Sequence, residues 1–205
     1  KFLDLTFNAV EEYNSDDTLL FFNQGVYHIF TYPEFDDLIS NERNPYNRNG
    51  MPLFTSVLSA LKLNETGTSN VAVGKDALRA NLANNNTAVG MDALTANTTG
   101  HSNTAMGKNA GIALTTGDKN IAIGSDALEA QTTADNNTAV GTSALNANTT
   151  GDESVAIGME AAKSNTTGSQ LVAVGKGALY TNTTGAANTA VGHQSLYYAT
   201  TGDDN

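Results

Sequence analysis

The chain has 205 residues, a formal charge of −11, and neither cysteine nor tryptophan. Without thiols, disulfides and thiolate metal sites are excluded as supports. Acidic residues outnumber basic ones 10 to 4 up to residue 69 and 11 to 6 beyond it, which argues against nucleic acid and anionic lipid as partners.

All seven phenylalanines and all three prolines fall within residues 1–58, so this stretch reads as a separate module. Lys1 to Val10 predicts a strand, and Leu19–Phe22 with Val26–Thr31 a hairpin about Asn23-Gln24-Gly25. After Pro33, Glu34 to Ser40 suits one short helix, and Asn44 to Gly50 is a loop dense in turn formers. A small α+β module results. No apolar run approaches the roughly 20 residues of a membrane-spanning helix, and no charged start with a cleavage site marks a signal peptide. Lys1 stands where an initiator Met is expected, so the natural N-terminus is expected further upstream.

From residue 59 the composition changes to a repeat. Its unit reads Asn-Thr-Ala-Val-Gly-x-Asp-Ala-Leu-x-Ala-Asn-Thr-Thr-Gly-x-x, nearly unaltered from Asn86 to Ser102. Position three is always alanine: Ala72, Ala88, Ala105, Ala122, Ala139, Ala156, Ala173 and Ala190. Position five is always glycine: Gly74, Gly90, Gly107, Gly124, Gly141, Gly158, Gly175 and Gly192, one step of 16 residues and then six of 17. Positions two and four favour β-branched residues. Such alternation ending in glycine predicts a short strand with two and four on one face and alanine on the other. The Ala-Leu segment, as in Ala93-Leu94, predicts a second strand before the Asn-Thr-Thr-Gly turn. Two strands and two turns in 17 residues make one coil of a parallel β-solenoid; helical repeats need units about twice as long.

An interior of Val, Thr and Leu in two layers is thin, and association between chains would relieve it. The alanine methyl, on the opposite face in this reading, would let a neighbour approach closely; a tight bend is its alternative explanation. Residues 60–67 match the second half of the unit, so the solenoid is expected over 59–205, with residues 1–58 sealing its open end or attaching it to another protein. Asn205 falls at position one of a ninth unit, so the array is expected to continue.

At Asn-Thr-Ala-Val-Gly the array resembles the head repeats of trimeric autotransporter adhesins. In its spacing, and in its Ala-Leu and Asn-Thr-Thr-Gly segments, it is similar to repeats of phage and viral tail-fibre proteins. The resemblance spans 59–205 and implies a left-handed β-roll, a homotrimer sharing one axis, and a fibre or adhesin shaft on a virion or cell surface. Two departures stand out: the unit is longer than in most adhesin heads, and Gly111 replaces the usual leucine, which puts local register in question. No chaperone domain of the kind that often ends tail fibres is present in these residues.

No catalytic constellation is evident, since His28, His101 and His193 sit in unrelated contexts, and no cofactor or metal is expected. Asp76, Asp92 and Asp126 share position seven, but Asn109, Ser143, Gly177 and Gln194 interrupt that row, so solvated turns outrank a calcium ladder. The paired threonines from Thr98-Thr99 to Thr200-Thr201 raise ice binding by a monomeric solenoid as the rival function, although only one of two adjacent threonines can face outward. Asn97, Asn148, Asn165 and Asn182 satisfy the N-glycosylation pattern. Tyr180, Tyr197 and Tyr198 are the only aromatics in the array and the candidate receptor contacts, with capping or packing between chains as the alternative. The expected function is a non-catalytic shaft supporting attachment to a host glycan or surface protein, with the chain itself and a surface anchor protein as partners.

Overall fold

The computed structural model describes residues 10–14, 18–23, 26–31 and 59–205. The chain separates into two compact units, Lys1–Thr55 and Ser56–Asn205. In the first, β1 (Val10–Asn14), β2 (Thr18–Asn23) and β3 (Val26–Thr31) form an antiparallel sheet in the order β1-β2-β3. The β2–β3 pair is the hairpin expected about Asn23-Gln24-Gly25, with Asn23 opposite Val26. Of the expected Lys1–Val10 strand, residues 1–9 lie outside the described residues and Val10 opens β1, whose pairing with β2 shifts register between Val10 and Tyr13. The expected helix at Glu34–Ser40 and the loop at 44–50 lie outside the described residues.

The second unit is a parallel β-solenoid. Eight three-residue strands, β4 (Val71–Val73), β5 (Thr87–Val89), β6 (Thr104–Met106), β7 (Ile121–Ile123), β8 (Thr138–Val140), β9 (Val155–Ile157), β10 (Val172–Val174) and β11 (Thr189–Val191), form one sheet in sequence order. Each alanine lies opposite the next, from Ala72↔Ala88 to Ala173↔Ala190. At about 4.8 Å per strand, the sheet is about 34 Å long. Gly111 does not disturb register, since Thr104–Met106 pairs in step with both neighbours. The single 16-residue step is absorbed in the turn, where Asn81-Leu82-Ala83 replaces Asn-Thr-Thr-Gly. The Ala83 carbonyl accepts the amides of Asn70 and Asn81 just as Gly100 accepts those of Asn86 and Asn97.

The expected second strand is absent from every described coil. The Ala-Leu segment is instead a run of turns, because positions seven and nine adopt left-handed backbone angles: Asp92 has φ 60° and Leu94 φ 51°, Asp126 58° and Leu128 51°. Leucine in that region costs about 1–2 kcal/mol. Burying its side chain contributes about 1.5–3 kcal/mol, and Leu78, Leu94, Leu128, Leu145 and Leu179 are all at most 1% exposed. The turn also hydrogen-bonds upward, with Leu94 N–H donating to the Ala110 carbonyl at 3.1 Å and Leu145 N–H to Ala161 at 3.0 Å. Stacking thus satisfies the backbone without a second strand.

The facing of the first strand is the reverse of the expectation. Position-three alanines from Ala88 to Ala190 are at most 2% exposed and form the core with the Ala-Leu alanines and leucines, while Val, Thr, Ile and Met at positions two and four point outward. The coil explains this. Leucines entering from the turn fill its narrow interior, and the space left beneath the strand admits only a methyl group. Alternation shows which residues share a face, not which face is inside.

Position-five glycine ends each strand, and from Gly74 to Gly175 the next coil leaves no room for a side chain there. Its φ lies between 122° and 141° across the eight copies, and a Cβ on Gly141 would sit 2.5 Å from the Gly158 carbonyl oxygen of the next coil. Gly141→Ala should therefore cost more than about 3 kcal/mol. Denaturant melting of the variant checks this; a loss below about 1 kcal/mol would contradict the close stacking.

Candidate functional surface

Two columns of amides run through the core. At position one, Asn86, Asn103, Asn120 and Asn137 each accept the backbone N–H of the following coil's position one on Oδ1 at 2.8 to 3.0 Å. Each donates Nδ2 to the position-fifteen carbonyl of its own coil at 2.8 Å. At position twelve, Asn148, Asn165 and Asn182 each donate Nδ2 to the amide oxygen one coil below at 2.9 to 3.0 Å, and also to the nearest position-fifteen carbonyl. All these residues are at most 2% exposed. Residue identity alone places the position-twelve asparagines in a turn and does not reveal the ladder. Its signal was the return of Asn at position one in Asn70, Asn86, Asn103, Asn120, Asn137, Asn188 and Asn205.

The ladder also accounts for its own gaps. Among the described residues, the buried side-chain atoms without a partner are Asn97 Oδ1 and Asn182 Oδ1. The position above Asn97 is Leu114, and the one above Asn182 is Ala199; neither side chain carries a donor. Leu114 takes the place of an asparagine closely, its Cδ1 lying 2.9 Å from a Cβ built on Gly117, where Asn97 Oδ1 lies 2.6 Å from one built on Gly100.

Outside, the sheet presents an apolar face. Position four carries Val73, Val89, Met106, Ile123, Val140, Ile157, Val174 and Val191 in one line, joined at position two by Val71, Ile121, Val155 and Val172. Val73, Met106, Ile157 and Val191 are 42% to 67% exposed. Met91 and Met159 at position six extend the strip, each at least 40% exposed. Contiguous apolar faces of this kind mark contact surfaces.

The tyrosines form a column rather than an open cluster. Tyr180 and Tyr197, both at position ten, stack with ring centroids 4.8 Å apart and planes 4° apart. Lys163, one coil below Tyr180, places Nζ 5.7 Å from the Tyr180 centroid and bonds Glu160 at 2.8 Å. Burial, with Tyr180 beside it, raises the Tyr197 hydroxyl above its ordinary pKa. Tyr198 meets Tyr197 edge-on yet remains 84% exposed, so of the three it is the most available to a receptor.

Of the paired threonines, the first is engaged and the second exposed. Thr98, Thr115, Thr149, Thr166 and Thr183 donate their hydroxyls to the carbonyl of the equivalent threonine in the next coil. Thr99, Thr116, Thr133, Thr150, Thr167, Thr184 and Thr201 form the single exposed rank. In the position-seven row, Asn109 Nδ2 donates to Asp126 Oδ1 at 2.9 Å, and Asp76 pairs with Lys75 at 3.2 Å. Among the described residues no group of three or more His, Asp or Glu is placed to hold a metal ion. His101 Nδ1 accepts the Asn84 N–H at 3.3 Å, a structural contact, and His193 is exposed. Comparison with protein-family models, curated proteins and solved structures gives no match to the chain.

The ladder yields a test against intuition. Leu114→Asn supplies the donor that Asn97 Oδ1 lacks, an atom whose isolation costs about 1–3 kcal/mol, so the exchange should stabilise or cost less than about 1 kcal/mol. Leu145→Asn places the same amide among leucines and should cost about 3 kcal/mol or more. Equal losses in denaturant melts of the two variants would contradict the ladder.

Proposed function

We propose that the array is a non-catalytic structural shaft: a left-handed β-roll that associates as a homotrimer and projects from a virion or cell surface in support of attachment to a host. The observation that carries this reading is the apolar outer face of the sheet, which runs along position four of all eight coils and has no partner among the described residues. Copies of the same chain suit it, because an identical repeat offers a matching line of Val, Ile and Met at the same spacing. A solenoid whose every coil is bonded to the next is stiff, as a spacer must be. Residues 1–58, a small α+β module on its sequence, would supply the anchor, and Tyr198 with the variable turns the contact to a host glycan or protein. The surface location follows from that role.

Ice binding by a monomer draws on the exposed threonine rank. One rank lacks the second dimension of a lattice, and an apolar sheet face left bare on a soluble monomer has no role in that reading.

Sedimentation equilibrium of the chain should give a trimer, and Met106→Asp combined with Val140→Asp should dissociate it while circular dichroism keeps the β signal. A wild-type monomer showing thermal hysteresis would replace this reading with ice binding. If the shaft carries the contact, Tyr198→Ala should lower retention on host cells or a glycan array at least about tenfold, the effect of roughly 1.4 kcal/mol, without changing the oligomer.

A further inference from the structure

The array contains seven Asn-x-Thr sequons, beginning at Asn64, Asn85, Asn97, Asn136, Asn148, Asn165 and Asn182. The coil sorts them by position. Asn97, Asn148, Asn165 and Asn182 are fully buried at position twelve, and the Nδ2 of each donates to two acceptors. Asn85 and Asn136 stand at position seventeen, exposed, with φ 62° and 58°, their backbone N–H groups bonded to the carbonyls of Thr68 and Asp118. Asn64, half-buried in the first half-coil, donates Nδ2 to the Gly67 carbonyl and falls between the classes.

N-glycosylation joins C1 of a sugar to the asparagine Nδ2. The bond from C1 to the diphosphate of a lipid-linked donor breaks, the diphosphate leaves with the bonding pair, and Nδ2 gives up one proton. At position twelve the bulky product would have to occupy a closed core, and one of two ladder hydrogens would be gone. At position seventeen it would extend into solvent.

We infer that the folded array has two open acceptor sites for N-linked glycan, Asn85 and Asn136, and four that are incompatible with the fold once modified, Asn97, Asn148, Asn165 and Asn182. It follows that a chain glycosylated at any of those four while unfolded cannot reach this native state. The inference rests on side-chain burial and the amide ladder, and is independent of the fibre reading.

The exposed threonine rank gives a clean variant. Thr99, Thr150, Thr167 and Thr184 complete the four closed sequons yet lie on the surface, so replacing all four with alanine abolishes the sequons and leaves the buried asparagines in place. The full chain and the T99A/T150A/T167A/T184A variant are each expressed behind a secretion signal in a eukaryotic cell and in the cytosol. Site occupancy is read by glycopeptide mass spectrometry. Both should be soluble from the cytosol. On the secretory route the wild type should be retained, with glycan on the position-twelve asparagines, and the variant should be secreted at least fivefold better, carrying glycan at Asn85 and Asn136. The inference is overturned if the wild type is secreted as well as the variant, if soluble folded protein carries glycan at Asn97, Asn148, Asn165 or Asn182, or if Asn85 and Asn136 stay bare in the secreted variant.

Discussion

Hydrogen bonding from each coil to the one above or below it holds this solenoid together, and the rest of the structure depends on that. Within one coil of 17 residues there is no helix, no second strand and little apolar area, so an isolated coil has no reason to hold its shape. Stacked in register, backbone N–H groups of the strand, of position one and of alternate turn residues find acceptors one coil away, and the buried asparagines form a hydrogen-bonded column of their own. Stability is then shared between neighbours, as expected for a repeat whose units contact only those adjacent to them.

The same constraint explains the side-chain choices. Alanine and leucine fill the interior because the turn delivers leucine into a space already bounded by the strand. Glycine at position five lets one coil lie on the next where a methyl group would meet a carbonyl oxygen. The larger β-branched residues are pushed outward, where they stack along the sheet and leave an apolar line that no other described residue covers. Core and contact surface are two consequences of one narrow cross-section.

Period, strand position and the strand-ending glycine were legible in the sequence because they depend on local residue type and spacing, and the eight in-register strands lie where the Thr-Ala-Val-Gly segments are. The facing of Ala88 or Ala139 was not legible, because alternation has no sign and large apolar residues are ordinarily assigned to the interior. The turn at Ala93-Leu94 was not legible either, since leucine in left-handed backbone is unfavourable by itself and is held there by burial that appears only after coils stack. Asn97 and Asn148 looked like turn residues for a similar reason: the partner that buries each one lies 16 or 17 residues away. For the candidate surface, Tyr180, Tyr197 and Tyr198 were visible as the only aromatics of the array, while the stacking that occupies two of them depends on the coil-to-coil spacing.

The most direct measurement of the central claim is hydrogen exchange of the side-chain amide protons, followed by NMR in labelled protein. With the columns in place, the Nδ2 protons of Asn86, Asn103, Asn120, Asn148 and Asn165 exchange orders of magnitude more slowly than those of exposed Asn85 and Asn136. Uniformly fast exchange at both sets would mean that no amide ladder joins the coils, and the account would fail.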